Sequence, residues 1–221
     1  EDKECRLCLF GGVGGHVTTA SRPEQTRQTF TQLDETLRRA GFSISDVIRT
    51  WFYNEDILAW YGDFNQVRTA FYRRQAFRTG SSPASTGVGG LYADGSALGL
   101  AGWALQGRED GARAVEVGSP LQCPAPNYGS SFSRAMELRA GGSRRLFVSG
   151  TASIAAGGES MWTGDIHRQI DRTMEVIAAL LASRDFGWAD VDRATAYFKS
   201  AADLPHWERW LERHGLSRLP Y

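Results

Sequence analysis

The 221 residues carry 25 lysines and arginines against 25 aspartates and glutamates, so no general positive field exists to hold a polyanion, and nucleic-acid or membrane-surface binding has no electrostatic support. No apolar run reaches the roughly 18 residues that a membrane-spanning helix needs, and the acidic opening Glu1-Asp2-Lys3-Glu4 is unlike a secretory leader, which makes the cytoplasm the expected compartment. Three cysteines cannot all pair, and a fully disulfide-bonded framework is excluded.

Cys5 to Phe10 reads as a strand running into Gly11-Gly12-Val13-Gly14-Gly15, expected as a flexible loop. Cys5 and Cys8 are spaced C-x-x-C, but three residues apart on a strand they point to opposite faces, so no zinc site is expected and the metal assignment is none. The glycine run does not open a helix with the G-x-G-x-x-G spacing, which argues against a dinucleotide cradle, and no cofactor is expected. Arg22-Pro23-Glu24 starts a helix, with Ser21 as a cap, that runs to about Arg39 and buries Phe30, Leu33 and Leu37. Asp46 to Tyr53 alternates as a strand, and Ile57 to Phe77 reads as a second helix with Trp60, Phe64, Val67 and Phe71 inward. Pro83 to Leu91 is the next strand, joined through the turn Ala93-Asp94-Gly95-Ser96 to Ala97–Leu105 as a hairpin.

Gln106 to Ala114 is polar and glycine-containing, as a loop would be, and Ser119 to Ser131 holds three prolines with little periodicity. A long ordered loop containing Gln122 and Tyr128 is more often functional than decorative. A second series follows, in which Phe132-Ser133-Arg134-Ala135 leads into strands. Leu146-Phe147-Val148 is a buried strand that ends in the small-residue turn Ser149-Gly150-Thr151, where backbone amides can approach a ligand. A helix with Gln169, Thr173, Ile177 and Leu181 on one side, a strand over Val191–Phe198 and a last helix over Leu204–His214 complete it.

The second series repeats the first. Adding 144 takes Gln25 to Gln169, Thr29 to Thr173, Leu37 to Leu181, Phe42 to Phe186, Asp46 to Asp190, Val47 to Val191, Arg49 to Arg193 and Tyr53 to Tyr197. Identity at a constant offset through a helix and into a strand argues for a duplicated α/β unit. The expected division is 1-105 for the first unit, 106-131 for a connector and 132-221 for the second unit, with the second lacking its last strand and residues expected before Glu1 and after Tyr221. Open sheet faces predict self-association, as a trimer or a pseudo-symmetric equivalent.

Strand, small-residue turn, glutamine-containing helix, Asp-Val strand and second helix together resemble the Rid (YjgF) superfamily, with its endoribonuclease L-PSP-like fold. The resemblance implies an α/β (α+β) class with two tandem Rid-like, Bacillus chorismate mutase-like units, each a mixed sheet with two helices on one face. Members of that superfamily trimerise and place ligand sites between neighbouring units. The blocks Pro83 to Gly89, Ser119-Pro120-Leu121-Gln122, Phe132-Ser133-Arg134-Ala135, Leu146 to Ile154 and Gly158-Glu159-Ser160 look most like the chorismatase branch. That likeness implies a metal-independent hydrolase of chorismate or a similar small carboxylate metabolite. Two other readings stand beside it: a Rid-like small-molecule binder or enamine/imine deaminase, and a non-catalytic trimeric assembly subunit. Deaminases of the superfamily hold the substrate carboxylate with an arginine in a Pro-x-Arg motif, where this chain has Ser85.

A dianion with an enol ether needs an acid and cations for its cleavage. Arg134 is the candidate carboxylate binder; a surface arginine is its alternative. Tyr128 is read as a hydrogen-bonding group or as packing for the connector. Ser149, Gly150 and Thr151 are read as an oxyanion-binding turn, the place where the family puts its ligand, or as a plain strand end. Glu159 is the candidate for proton transfer, or else a carboxylate favouring the positive end of the next helix. Gln25 and Gln169 suit a fold-supporting role. His167, His206 and His214 have no serine or cysteine placed to form a nucleophile pair, so a hydrolytic triad is set aside.

Overall fold

The computed structural model describes residues 4–14, 19–92, 94–108 and 111–221. Gly15 and Ala93, named above in a loop and a turn, lie outside the described residues. By compactness the chain forms two units, Glu1–Val117 with Ala125–Gly150, and Gly118–Pro124 with Thr151–Tyr221.

In the first unit β1 (Cys5–Gly14) continues through the glycine run that was expected to be a loop. Its pairing with the later strand Leu98–Gly107 shifts register between Phe10 and Val13, and Gly12 has φ +68°, so the glycines form a bulge within the strand. Cys5 and Cys8 do lie on opposite faces, Cys5 in one apolar cluster and Cys8 against the other. α1 (Arg22–Arg39) carries Pro23 in its first turn and ends before Gly41, at φ +75°. Ser21 stands at the cap position, but its side chain makes no capping bond. A single 3-10 turn, Ile44–Asp46, leads into β2 (Val47–Asn54).

α2 (Ile57–Tyr72) is shorter than its apolar pattern suggested, and Trp60 interrupts it with non-helical torsions. Trp60 and Phe64 are buried as expected, and so is Arg68, which the apolar stripe did not include. Phe30 stacks on Phe71 at 4.4 Å, while Phe52 meets Phe64 edge-on at 5.1 Å. Such aromatic pairs contribute about 0.5–1.5 kcal/mol each beyond their burial.

β3 (Ala84–Gly89) and β4 (Leu98–Gly107) are not the hairpin that the turn chemistry suggested. The sheet order is β1-β4-β2-β3: β2 lies between them, parallel to β3 and antiparallel to β4. The interposed β2 is buried along most of its length, and it outcompetes the local turn for both neighbours. The stretch expected as a connector also holds a strand, β5 (Arg113–Val117). β5 pairs with β6 (Ala135–Ala140), which pairs with β7 (Ser143–Val148). Met136 and Leu138 of β6 cluster with Cys5, Ile48 and Leu105, so β6 and β7 belong by packing to the first unit. The cluster covers sheet surface that the self-association argument had left open.

The second unit is built on α3 (Ile166–Ala182) and α4 (Leu204–Arg213). Its core holds Ile170, Met174, Trp207, Trp210, Leu211 and Leu219. The Trp210 indole donates to Asp171 Oδ1 at 2.6 Å. The 144-residue offset reproduces local geometry closely. α1 maps onto α3, and the turn Ile44–Asp46 maps onto the 3-10 turn Trp188–Asp190. Thr29 Oγ1 donates to Gln25 O and Thr173 Oγ1 to Gln169 O. Residues 191–198, the counterpart of β2, form no strand pairing among the described residues. Their backbone amides bond at Val191, to Trp188 O at 3.3 Å, and at Ala194, to Pro220 O at 2.6 Å.

Candidate ligand site at the start of β6

Arg134 is fixed from the backbone outward. The Ser133 amide donates to Pro83 O at 3.1 Å, and the Ser149 amide donates to Arg134 O at 3.0 Å. Ser149 Oγ donates to Ser133 O at 2.5 Å and accepts from the Ser85 amide at 2.8 Å. The Gly150 amide donates to Ser85 O at 3.0 Å, and a Cβ at Gly150 would stand only 3.1 Å from the Thr86 side chain. Ser149 and Gly150 therefore tie the end of β7 to β3. Gly150 is needed for that close approach, and its amide is engaged by protein rather than turned to an open site.

The guanidinium of Arg134, a residue only 6% exposed, lies 5.3 Å from the Tyr128 ring and 5.4 Å from the Phe132 ring. Each such face contributes about 0.5–2 kcal/mol to holding the cation, more as water is removed. Tyr128 is itself 37% exposed at the end of the 3-10 turn Ala125–Tyr128. Its ring therefore reaches from the surface to a buried cation.

The aromatic group continues inward to Arg68, which is 1% exposed. Arg68 Nη2 donates to Asn65 Oδ1 and to Ser130 Oγ, both at 2.6 Å. Its guanidinium faces Phe64 at 4.9 Å, Phe52 at 5.7 Å and Phe132 at 5.8 Å. Burial pulls its pKa down, partly countered by the nearby Tyr61 and Tyr72. The same burial pushes the Tyr72 hydroxyl up to about 12. Arg49, also buried, donates to Thr86 Oγ1 at 2.5 Å beside the Gly150 contact. Sequence reading missed Arg68 and Arg49 as site residues. A cation within an otherwise apolar helix face was the available signal for Arg68.

Ser85, at the place of the deaminase arginine, is 3% exposed and accepts from Thr50 Oγ1 at 3.0 Å, which makes it a buried bond between strands. Thr151 and Glu159 belong to the second unit. Glu159 sits in a tight turn where the Ala155 amide donates to Glu159 O at 2.8 Å, and it is exposed. It does not start α3: Asp165 does, accepting from the Arg168 amide at 3.1 Å. The second unit also has a cavity of about 430 Å³ lined by Met161, Trp162, Arg168, Asp171, Arg172 and Glu175, in which Arg172 and Glu175 pair at 2.8 Å. Among the described residues no group of three metal-ligating side chains forms, and no helix is long and apolar enough to cross a membrane.

Residues 11–91 match the family described as Endoribonuclease L-PSP. A chorismatase crystal structure is similar with a TM-score of 0.72 at 22% identity, covering 96% of this chain and 67% of that one. The chain thus spans about two thirds of the chorismatase's length. A member of the YjgF protein family from Neisseria meningitidis is similar over 47% of this chain and 81% of its own, at 24% identity and a TM-score of 0.40. The YjgF gene product of E. coli gives 0.40 at 17% identity, over 45% of this chain and 80% of its own. No curated protein matches the sequence.

Proposed function

We propose, for a chain that carries the Rid/YjgF fold in a chorismatase-like form, that it binds a small carboxylate metabolite at Arg134 and acts as a metal-independent, chorismatase-like hydrolase. The observation that supports this reading is the buried Arg134 guanidinium, held against the rings of Phe132 and of the partly exposed Tyr128. A cation desolvated in this way attracts a carboxylate more strongly than one in water does.

In this reading Arg134 holds a substrate carboxylate and Tyr128 donates a hydrogen bond to a ring hydroxyl. Ser149 and Gly150 act as the scaffold that sets the start of β6. With chorismate, protonation of the enolpyruvyl methylene makes the ether-bearing carbon electrophilic. Water adds there, and the adduct breaks its bond to the ring oxygen to release pyruvate and a ring alcohol. We read 1-105 and 132-221 as the two repeats behind this arrangement, and assembly into a homo-oligomer as its working form.

Titration calorimetry with chorismate tests the binding step. Replacing Arg134 by Ala is expected to weaken binding about ten- to a hundredfold, the equivalent of roughly 1.5–3 kcal/mol for a hydrogen bond to a charged group. Pyruvate release from chorismate that is lost in Arg134→Ala supports the hydrolase. Ammonia release from a 2-imino acid would instead favour the deaminase, against which the buried Ser85 argues. Absence of binding, with Arg134→Ala silent, would leave an assembly subunit.

A further inference from the structure

We propose that Arg68 is a second anion-binding cation of the same site, so that the ligand carries two negative groups, one for Arg134 and one for Arg68. The inference rests on the carboxylate-binding reading of Arg134 and deepens it by assigning the residue that would hold the second carboxylate of a ligand such as chorismate.

Two buried carboxylates of this unit are paired with cations. Glu137, fully buried on β6, accepts from Arg139 Nε and Arg144 Nε, both at 2.8 Å. Asp46, 1% exposed, accepts from Arg78 Nε at 2.5 Å. Arg68 is as deeply buried as either, yet the two acceptors at its Nη2, Asn65 Oδ1 and Ser130 Oγ, are neutral. Its Nε is buried and has no partner among the described residues. A guanidinium cannot shed its proton at physiological pH even when burial lowers its pKa. Leaving such a charge uncompensated in a core costs several kcal/mol. Phe52, Phe64 and Phe132 offset part of that cost through their faces, but none of them neutralises the charge.

The surroundings also indicate where an anion would enter. Ser130 Oγ occupies Nη2 from the segment Ala125–Ser131, whose residues 126–129 are exposed. A carboxylate that displaced this hydroxyl could take Nη2 with one oxygen and Nε with the other, which is the forked pairing that guanidinium geometry favours. Phe132 contacts both cations, with Arg68 at 5.8 Å and Arg134 at 5.4 Å from its ring. A ligand with anionic groups at both ends of a small carbon frame fits two cations that share one ring.

Calorimetry with chorismate, which has two carboxylates, and benzoate, which has one, tests this on the whole protein. The native protein is expected to prefer chorismate at least tenfold. Arg68→Met is expected to bring chorismate affinity down to that of benzoate and to leave benzoate unchanged, whereas Arg134→Ala weakens both. Should Arg68→Met fail to fold by circular dichroism, Arg68→Lys keeps a charge but loses the fork, and a fall of at least threefold in the chorismate preference is expected. An unchanged preference in the folded variant, or equal affinity of the native protein for the two ligands, overturns the role of Arg68. In either case weaker benzoate binding in Arg134→Ala preserves the Arg134 reading. Silence of Arg134→Ala toward both ligands overturns that reading instead.

Discussion

The same sequence block folds twice in this chain, and its two copies share local geometry while differing in how far they are enclosed. Asp46 and Asp190 both end a 3-10 turn, and each accepts a backbone amide at 2.8 Å, from Ser43 and from Gly187. Asp46 is buried and also accepts from Gln106 and Arg78, whereas Asp190 is exposed. β2 follows the first turn and is paired on both edges; 191–198 follows the second and is paired with no strand among the described residues. Helices and capped turns need only their own residues, and so both copies form them. A central strand needs partners that lie far along the chain, and here only the first copy has them.

The largest effect that would sharpen this contrast is expected within the two copies of the strand. Phe52 on β2 is fully buried between Phe30 and Phe64. Phe52→Ala should cost about 3–5 kcal/mol, the usual range for a large aromatic removed from a packed core. Tyr197, next to the position equivalent to Phe52, is 48% exposed, and Tyr197→Ala should cost less than about 1 kcal/mol. Urea unfolding of the two variants checks the difference. Equal costs would mean that residues 191–198 are as well enclosed as β2.

A middle-sized effect separates the two aspartates. Burial alone would raise the Asp46 pKa, but hydrogen bonds from Gln106, the Ser43 amide, Arg78 and the Ser43 hydroxyl together hold it below the ordinary carboxylate value. Because the folded pKa lies below the unfolded one, the ionised group stabilises the fold above the unfolded pKa. That contribution is lost as pH falls through the folded value. Asp46→Asn should lose about 1.5–3 kcal/mol at neutral pH, the scale of hydrogen bonds to a charged group. Its stability should also vary less between pH 5 and 2, read from melting temperature, than that of the native protein. Asp190→Asn should cost about 1 kcal/mol or less, as expected for one exposed capping bond, with the acid dependence retained.

How much of this was legible beforehand follows the same division between local and distant. Pro23 and Gly41 fix α1 to the residue, and the identities from Gln25/Gln169 to Tyr53/Tyr197 exposed the repeat, since both signals sit within a few turns of chain. The hairpin read into 83–105 failed because the pairing of β3 and β4 is decided by β2, some thirty to sixty residues earlier in sequence. β5 was hidden in a polar stretch, because its burial is supplied by β6 rather than by its own pattern. Arg134, Tyr128 and the 149–150 turn are singled out as candidates from their places in the chain and from the family resemblance. Arg68 stands on the apolar face of α2, four residues after Phe64, but only the folded packing reveals that its cation is enclosed by three phenylalanines.

The smallest effect concerns the residue that ends each copy's first helix. Gly41 follows α1 at φ +75°, and Asp185, its counterpart at the 144-residue offset, follows α3 at φ +60°. In both copies the next residue's amide reaches back to a leucine carbonyl, Phe42 to Leu37 at 2.8 Å and Phe186 to Leu181 at 3.0 Å, so the left-handed residue closes the same turn. A side chain in this region costs roughly 1–2 kcal/mol, less for aspartate, whose short polar group is tolerated there. Glycine avoids that strain but gives up about 0.4–1 kcal/mol through the greater freedom of its unfolded chain. Asp185→Gly should therefore change stability by only a few tenths of a kcal/mol, in the stabilising direction, because strain relief slightly exceeds the entropy lost. Gly41→Asp should be clearly worse than the mirror of that gain. A Cβ there would stand 3.2 Å from Arg6 Nη2, in a side chain that also donates to the carbonyls of Ala40 and Gly41. Paired melting curves of the two exchanges measure this asymmetry, and equal and opposite shifts would show that the environment of the turn contributes nothing beyond its torsion angle.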